Sequence, residues 1–179
     1  FCYNIPMKYC DRCGGELEVR KTNIEWYCPF CKRRIFLNPI PTIDALLFDE
    51  DGRILVGRRK SQFSNGKLNL PGGFVDPNET FEEAIHRELH EELGLSPADY
   101  SELTYAGSRV DIYTQDSVTK QLLAVVMFAN IRHRTFKPNE EVSEYLWKLP
   151  SELTPDQMTG HAEYDHIMSA VAIKELSSR

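Results

Sequence analysis

The stretch Gly73-Phe-Val-Asp-Pro-Asn-Glu79-Thr-Phe-Glu-Glu-Ala-Ile-His-Arg87-Glu88-Leu-His-Glu91-Glu92-Leu-Gly94-Leu95 decides how the rest of the chain is read. Thr80 followed three residues later by Glu83 forms a capping box, in which a hydroxyl and a carboxylate satisfy the first free amides of a helix. Gly94 stands where a left-handed residue ends one. The spacing therefore predicts a helix over 81–93. At ~100° per residue from Phe81, Ala84, Ile85, Leu89 and Leu93 fall on one side, the side to be buried. Glu88 and Glu92 fall inside or beside that sector, with Glu91 next to them. A carboxylate placed there without a partner is costly or protonates, so something cationic must meet it. Three carboxylates at i, i+3 and i+4 repel one another on an empty helix but suit a hard divalent cation such as Mg²⁺ or Mn²⁺. Oxygen-only ligands argue against zinc at this place. His86 and His90 share a face, but the zinc-protease pattern needs Glu directly after the first His, and Arg87 is there. Both histidines fall away from the acidic group and are expected in solvent.

Outward from this helix, periodicity changes to that of strands. Ile43 to Phe48, the turn Asp49-Glu-Asp-Gly52 and Arg53 to Arg59 read as a hairpin. Leu103 to Tyr113 and Leu122 to Ile131 read as two more strands, the second apolar enough to be covered on both faces. Tyr145 to Leu149 is a shorter strand candidate. A second helix is expected from about His161 to Leu176, with Ile167, Ala170, Val171 and Lys174 at helical spacing. Strands interrupted by helices indicate a mixed α/β sandwich. The chain contains no internal repeat and no low-complexity stretch.

Composition shifts sharply near residue 38. All five cysteines precede it, and four of them form the pairs Cys10-Asp-Arg-Cys13 and Cys28-Pro-Phe-Cys31. Two such knuckles place four thiolates around one tetrahedral Zn²⁺, and four sulfur ligands leave no position for water, so this zinc is structural. Gly14-Gly15 supplies a tight backbone that lets amides approach sulfur. Cys2 has no assigned role. Residues 1–38 thus read as a zinc ribbon, Asn38-Pro-Ile-Pro41 as a rigid connector, and 39–179 as a second domain.

The 179 residues carry 21 Lys and Arg against 27 Asp and Glu, a formal net charge of −6, with 41% hydrophobic residues. That composition excludes a wholly disordered polymer. The longest apolar run, Leu122 to Ala129, falls far short of the roughly 20 residues of a spanning helix. Neither a membrane partner nor secretion is expected, and the cytoplasm is the expected location. The ribbon holds seven Lys or Arg against four Asp or Glu, and the remainder 14 against 23. Four thiolates with one zinc lower the ribbon to about +1, too little to claim a nucleic-acid grip, although a local contact stays open. Small anionic substrates remain compatible if a metal mediates. Arg58, Arg59 and Lys60 end the second strand and are placed to reach phosphate oxygens.

Gly73 to Leu95 resembles the signature of the Nudix hydrolases, G-x5-E-x7-R-E-U-x-E-E-x-G-U with U aliphatic, and every specified position matches. The resemblance implies an α/β/α sandwich with a mixed sheet and metal-dependent hydrolysis of a nucleoside diphosphate joined to another group. Carried over, Glu88, Glu91 and Glu92 bind Mg²⁺ or Mn²⁺, and the carbonyl of Gly72 or Gly73 completes the shell. Glu88 acts as base or orients water, Arg87 holds a glutamate by an ion pair, and Glu79 braces the loop. Glu141, in Pro138-Asn-Glu-Glu141-Val-Ser-Glu144-Tyr-Leu-Trp147, resembles a further metal carboxylate, with Glu140 and Glu144 read as surface acids. Paired C-x-x-C motifs ahead of such a domain resemble the zinc-ribbon subgroup that includes bacterial NADH pyrophosphatases. NADH-cleaving members carry S-Q-P-W-P-F-P-x-S after the signature, whereas this chain reads Tyr105-Ala-Gly-Ser-Arg-Val-Asp-Ile-Tyr113. Tyr113 is similar to a tyrosine of some dinucleoside polyphosphate hydrolases. Leu68 stands where many members carry Trp, which leaves Phe74, Phe63 or Tyr113 to stack a base. Many relatives dimerise, which makes a homodimer an expectation. A reading of another class is a nucleotide-sensing or RNA-binding module with the ribbon as a contact arm. Intact Arg87, Glu88, Glu91 and Glu92 argue against it.

Overall fold

The structure is a computed structural model and describes residues 8–21, 25–60, 64, 66–115 and 118–177. The chain forms two compact units, one of residues 1–40 with 112–121, the other of 41–111 with 122–179. In the first, β1 (Glu18–Lys21), β2 (Glu25–Tyr27) and β3 (Arg34–Phe36) make an antiparallel sheet in that order. Val19, Trp26 and Ile35 stand in one cross-strand row, and among the described residues of these three strands Trp26, 3% exposed, is the one buried apolar side chain. So small a sheet cannot bury enough surface to fold unaided, which is why a metal staple is the natural complement.

The larger sheet draws on β4 (Ile40–Phe48), β5 (Ile54–Arg59), β6 (Leu68–Asn69), β7 (Gly72–Phe74), β8 (Thr104–Gln115), β9 (Val118–Asn130) and β10 (Val142–Lys148). Its order is β10-β5-β4-β9-β8, with β6 paired to β5 and β7 to β4. β4 and β5 meet only at Phe48 and Ile54 beside their turn. Asp49 Oδ1 accepts the amides of Asp51 (3.0 Å) and Arg53 (2.8 Å) to close that turn. Beyond it the two strands splay, and the segment carrying β6 and β7 fills the gap.

Two helices cover the sheet, α1 (Phe81–Leu93) and α2 (His161–Ser177). Ile43, Ala45 and Leu47 of β4 pack with Ala84, Ile85 and Leu89 of α1, whereas Leu46 and Phe48 pack with Ile167 and Ala170 of α2. Alternate residues of a strand point to opposite faces, so the helices lie on opposite sides and the architecture is an α/β/α sandwich. β9 lies between β4 and β8 and serves both cores, through Val126 on one side and Met127 and Ala129 on the other. The helix over 81–93 is the one expected. Thr80 Oγ1 accepts the Glu83 amide, Glu83 Oε2 accepts the Thr80 amide (2.8 Å), and Gly94 ends the helix at φ 66°. Pro41, expected in a connector, lies instead within β4, and Gly72-Gly73, expected in a loop, lies in β7.

Candidate active site and metal centre

The two C-x-x-C segments fold as the same turn made twice. The Gly14 amide donates to Cys10 O (2.8 Å) and that of Lys32 to Cys28 O (2.9 Å). The Cys10 amide returns to Gly15 O (2.8 Å) and that of Cys28 to Arg33 O (2.9 Å). Both turns end left-handed, Gly14 at φ 71° and Lys32 at φ 62°. A lysine tolerates that conformation only where its surroundings enforce it. The four Sγ atoms lie within 4.8 Å of one another, with Cys10 to Cys31 at 3.6 Å and Cys13 to Cys28 at 3.5 Å. A tetrahedron with Zn–S bonds of ~2.3 Å has edges of ~3.8 Å, so the donors fit Zn²⁺ in number, softness and spacing. Backbone amides of Cys31 and Phe30 toward Cys28 favour its thiolate, whereas at Cys13 the neighbouring thiols and burial outweigh the Gly15 amide and push the thiol up. Cys2 lies outside the described residues.

On α1, Arg87 is the centre of the acidic cluster. Its Nε and Nη2 donate to the two oxygens of Glu79, both at 2.9 Å, a bidentate pair. Nη1 donates to Glu88 (2.8 Å) and Glu91 (3.2 Å), and Nη2 also to Phe74 O (2.9 Å). Glu79 in turn accepts the Asp76 amide (3.0 Å), which ties the loop before the helix to Arg87. These bonds, with the Asp76 amide second to Arg87, hold the Glu79 carboxyl below its ordinary range.

Glu92 reaches the other way and accepts the Gly72 amide (3.1 Å). Burial pushes its carboxyl up to about 8. The Gly72 bond and Arg59 oppose that shift, while the nearby charges of Glu88 and Glu141 add to it. Burial also raises Glu88, against the pull of Arg87. A cation would relieve half-buried carboxylates crowded in this way, and an all-oxygen set would fit a hard one. The three carboxylates were expected to converge on one spot. Among the described residues, however, only the four cysteines lie close enough for one ion as the side chains stand. Arg87 draws Glu88 and Glu91 to itself, and Gly72 draws Glu92 away.

The paired glycines have different reasons. Gly72 sits at φ 144°, and a Cβ there would strike the Ile43 carbonyl and approach Asp44 Cα to 2.8 Å. At Gly73 a Cβ would strike the Glu88 carboxylate, so this position keeps space beside the acidic group.

Arg59 donates to Glu141 (3.0 Å), and both lie near enough to Glu92 for their charges to act on it. Arg58 is taken by Glu144 (2.5 Å) and Gly66 O (2.9 Å), so Glu144 is an ion-pair partner rather than a plain surface acid. Glu140 is exposed. Phe74 is 45% exposed. The Tyr113 side chain and Phe63 lie outside the described residues. His86, expected in solvent, is half-buried with Nδ1 2.5 Å from Tyr100 Oη, and His90 is exposed.

Sequence reasoning missed Asn139 and Tyr145. Asn139 Oδ1 accepts the amides of Glu141 (2.9 Å) and Val142 (2.7 Å), and its Nδ2 donates to Tyr145 Oη (3.0 Å). The dipeptide Pro138-Asn139 was the available signal, because Asn favours turns of this kind. It shapes the turn that presents Glu141.

A family model described as NUDIX domain matches residues 38–170. An ADP-ribose pyrophosphatase of Methanocaldococcus jannaschii is 44% identical over 66 residues, 37% of this chain and 38% of that protein. An NAD-capped RNA hydrolase NudC of Chromobacterium violaceum is 33% identical over 88 residues, 49% of this chain and 32% of that protein. The chain thus spans between 32% and 38% of the length of these two relatives. Among solved structures, a NUDIX hydrolase from Nitrosomonas europaea superposes with a TM-score of 0.66 at 21% identity, over 95% of this chain and 93% of that one. That is a likeness of fold. No helix among the described residues is long and apolar enough to cross a membrane.

Proposed function

Because the chain belongs to the Nudix family, we propose that it hydrolyses the diphosphate linkage of a nucleoside diphosphate derivative. Water attacks one phosphorus, the bridging P–O bond breaks, and a nucleoside monophosphate and a phosphorylated remainder leave. The observation that carries this reading is the Arg87 array, which ties Glu79, Glu88 and Glu91 to one guanidinium beside the Gly72–Glu92 contact. A non-catalytic fold has no need of so many half-buried carboxylates.

In this proposal Glu88, Glu91 and Glu92, with Glu141 and a carbonyl of Gly72 or Gly73, hold Mg²⁺ or Mn²⁺. The cation supplies neutralisation of the diphosphate charge and an activated water. Arg87 fixes Glu88 Oε1, which orients the other carboxylate oxygen for the cation and the water it would activate. Glu79 locks Arg87 in place. Arg59 and Arg58, released from Glu141 and Glu144, meet phosphate oxygens, and Phe74 or Tyr113 meets the base. Residues 1–38 form the zinc ribbon, with Cys10, Cys13, Cys28 and Cys31 on Zn²⁺, and 39–179 the catalytic domain. The relatives' names put ADP-ribose and NAD-capped RNA among the candidate substrates within the class. A cytoplasmic setting and a homodimer belong to the same reading.

The test is product analysis with Mn²⁺ or Mg²⁺, offering ADP-ribose, NAD⁺, NADH and diadenosine polyphosphates to wild type and Glu92→Gln. Cleavage of one class by wild type alone is expected. Absence of any cleavage, with oligonucleotide binding that weakens steeply with salt, would favour the binding-module reading instead.

A further inference from the structure

The segment that presents the two glycines is gripped by both helices. From α1, Glu92 accepts the Gly72 amide. From α2, Glu163 Oε1 accepts the Leu70 amide at 2.9 Å, and its other oxygen accepts the Thr159 hydroxyl. The Thr159 amide returns to Leu68 O (2.9 Å), and between the two grips Pro71 O accepts the Ala45 amide (2.8 Å). Glu163 is only 4% exposed and lies outside the signature, more than 60 residues beyond its end. A carboxylate so buried is costly unless its oxygens are filled, and an apolar residue would pack there without that cost.

A second support reaches the same segment through β8. Arg109 pairs with Asp44 (2.8 Å) and with Asp111 (2.6 Å), and Asp44 is the register partner of Gly72 across β4 and β7. Burial raises both carboxyls, Glu163 to about 7, and the Arg109 charge opposes that rise at each without cancelling it.

We propose that Glu163 is a positioning residue for the segment that presents the two glycines: it fixes Leu70 and, through Pro71, the backbone of Gly72 and Gly73 in the geometry the α1 carboxylates require. The proposal rests on the hydrolase reading, but part of its test does not depend on turnover. Glu163 bonds Leu70 and Thr159, so it acts on the site through that backbone.

The experiment uses the full chain with zinc bound and compares wild type, Glu163→Ala and Glu163→Gln by hydrogen exchange over 66–75 and by steady-state kinetics on ADP-ribose with Mn²⁺. Glu163→Ala is expected to speed exchange at Leu70 and Gly72 and to lower kcat about 10- to 100-fold, as loss of an orienting partner does, with KM unchanged. Glu163→Gln is expected to restore both, since its carbonyl accepts from Leu70 and its amide donates to the Thr159 oxygen. A merely structural role would lower the thermal midpoint and leave kcat per folded molecule intact. The proposal is overturned if folded Glu163→Ala keeps wild-type exchange over the segment or wild-type kcat, or if Glu163→Gln fails as Glu163→Ala does. Should Glu163→Ala not fold, Thr159→Val removes only the hydroxyl that orients Glu163, and wild-type behaviour there overturns it. Wild type inactive on every substrate would remove the hydrolase reading, while exchange alone would still decide the brace.

Discussion

Adding one methyl group to each of the adjacent glycines should separate catalysis from folding. In Gly73→Ala the new Cβ would lie 2.7 Å from Glu88 Cδ and 2.9 Å from its Oε2. Ordinary carbon contacts lie at ~3.5–4.0 Å, so the carboxylate must withdraw by about 1 Å. Its Oε1 is held by Arg87 at 2.8 Å, and withdrawal breaks that bond. A displacement of about 1 Å at a reacting centre costs roughly 100-fold in rate. The obstructing atoms end a movable side chain, so stability should stay within about 1 kcal/mol of wild type. In Gly72→Ala the obstruction is backbone, the Ile43 carbonyl and Asp44 Cα, and the residue sits at φ 144°. Such a conformation costs a side-chain-bearing residue about 1–3 kcal/mol before any overlap is counted. At 3 kcal/mol the thermal midpoint falls by roughly 6–12 °C in a domain of this size. Circular dichroism melts and kcat on ADP-ribose with Mn²⁺ measure both quantities. Wild-type kcat in Gly73→Ala, or a wild-type midpoint in Gly72→Ala, would refute the reasoning.

Three further outcomes are expected. Arg87→Lys keeps the charge but cannot hold Glu79 bidentately while bonding Glu88 and Glu91, so kcat should fall at least 10-fold, and wild-type kinetics would contradict the array. Chelation should release one zinc per chain and expose Trp26, seen as a red-shifted emission in a Trp147→Phe background, and no metal released would exclude the zinc site. Asp99 is held down to about 2, first by the Ser96 hydroxyl and amide and then by Arg134. A depressed carboxyl stabilises fully above its unfolded value of ~3.9 and loses that contribution as pH falls toward 2. Asp99→Asn should therefore flatten the drop in thermal midpoint between those pH values, and an unchanged slope would count against it.

Much of this protein is legible in its sequence because much of it is local. The bounds of α1 follow from Thr80, Glu83 and Gly94, whose bonds span five residues or fewer, and its buried side follows from helical spacing. The two metal knuckles are equally local, since each turn closes within six residues. The polar partners that complete the candidate site are not local. Arg59 meets Glu141 across 82 residues, Glu163 meets Leu70 across 93, and Asp44 meets Arg109 over the intervening strand β9. No periodicity encodes such pairs.

The helical wheel also placed Glu88, Glu91 and Glu92 together by angle alone, whereas in the folded chain Arg87 holds Glu88 and Glu91 and the Gly72 amide holds Glu92. The sequence by itself determined the helix, its acidic edge, the knuckles and the family they resemble. Only the tertiary structure decided which guanidinium or amide each carboxylate meets, because that depends on how splayed strands bring distant backbone and side-chain donors into one small volume.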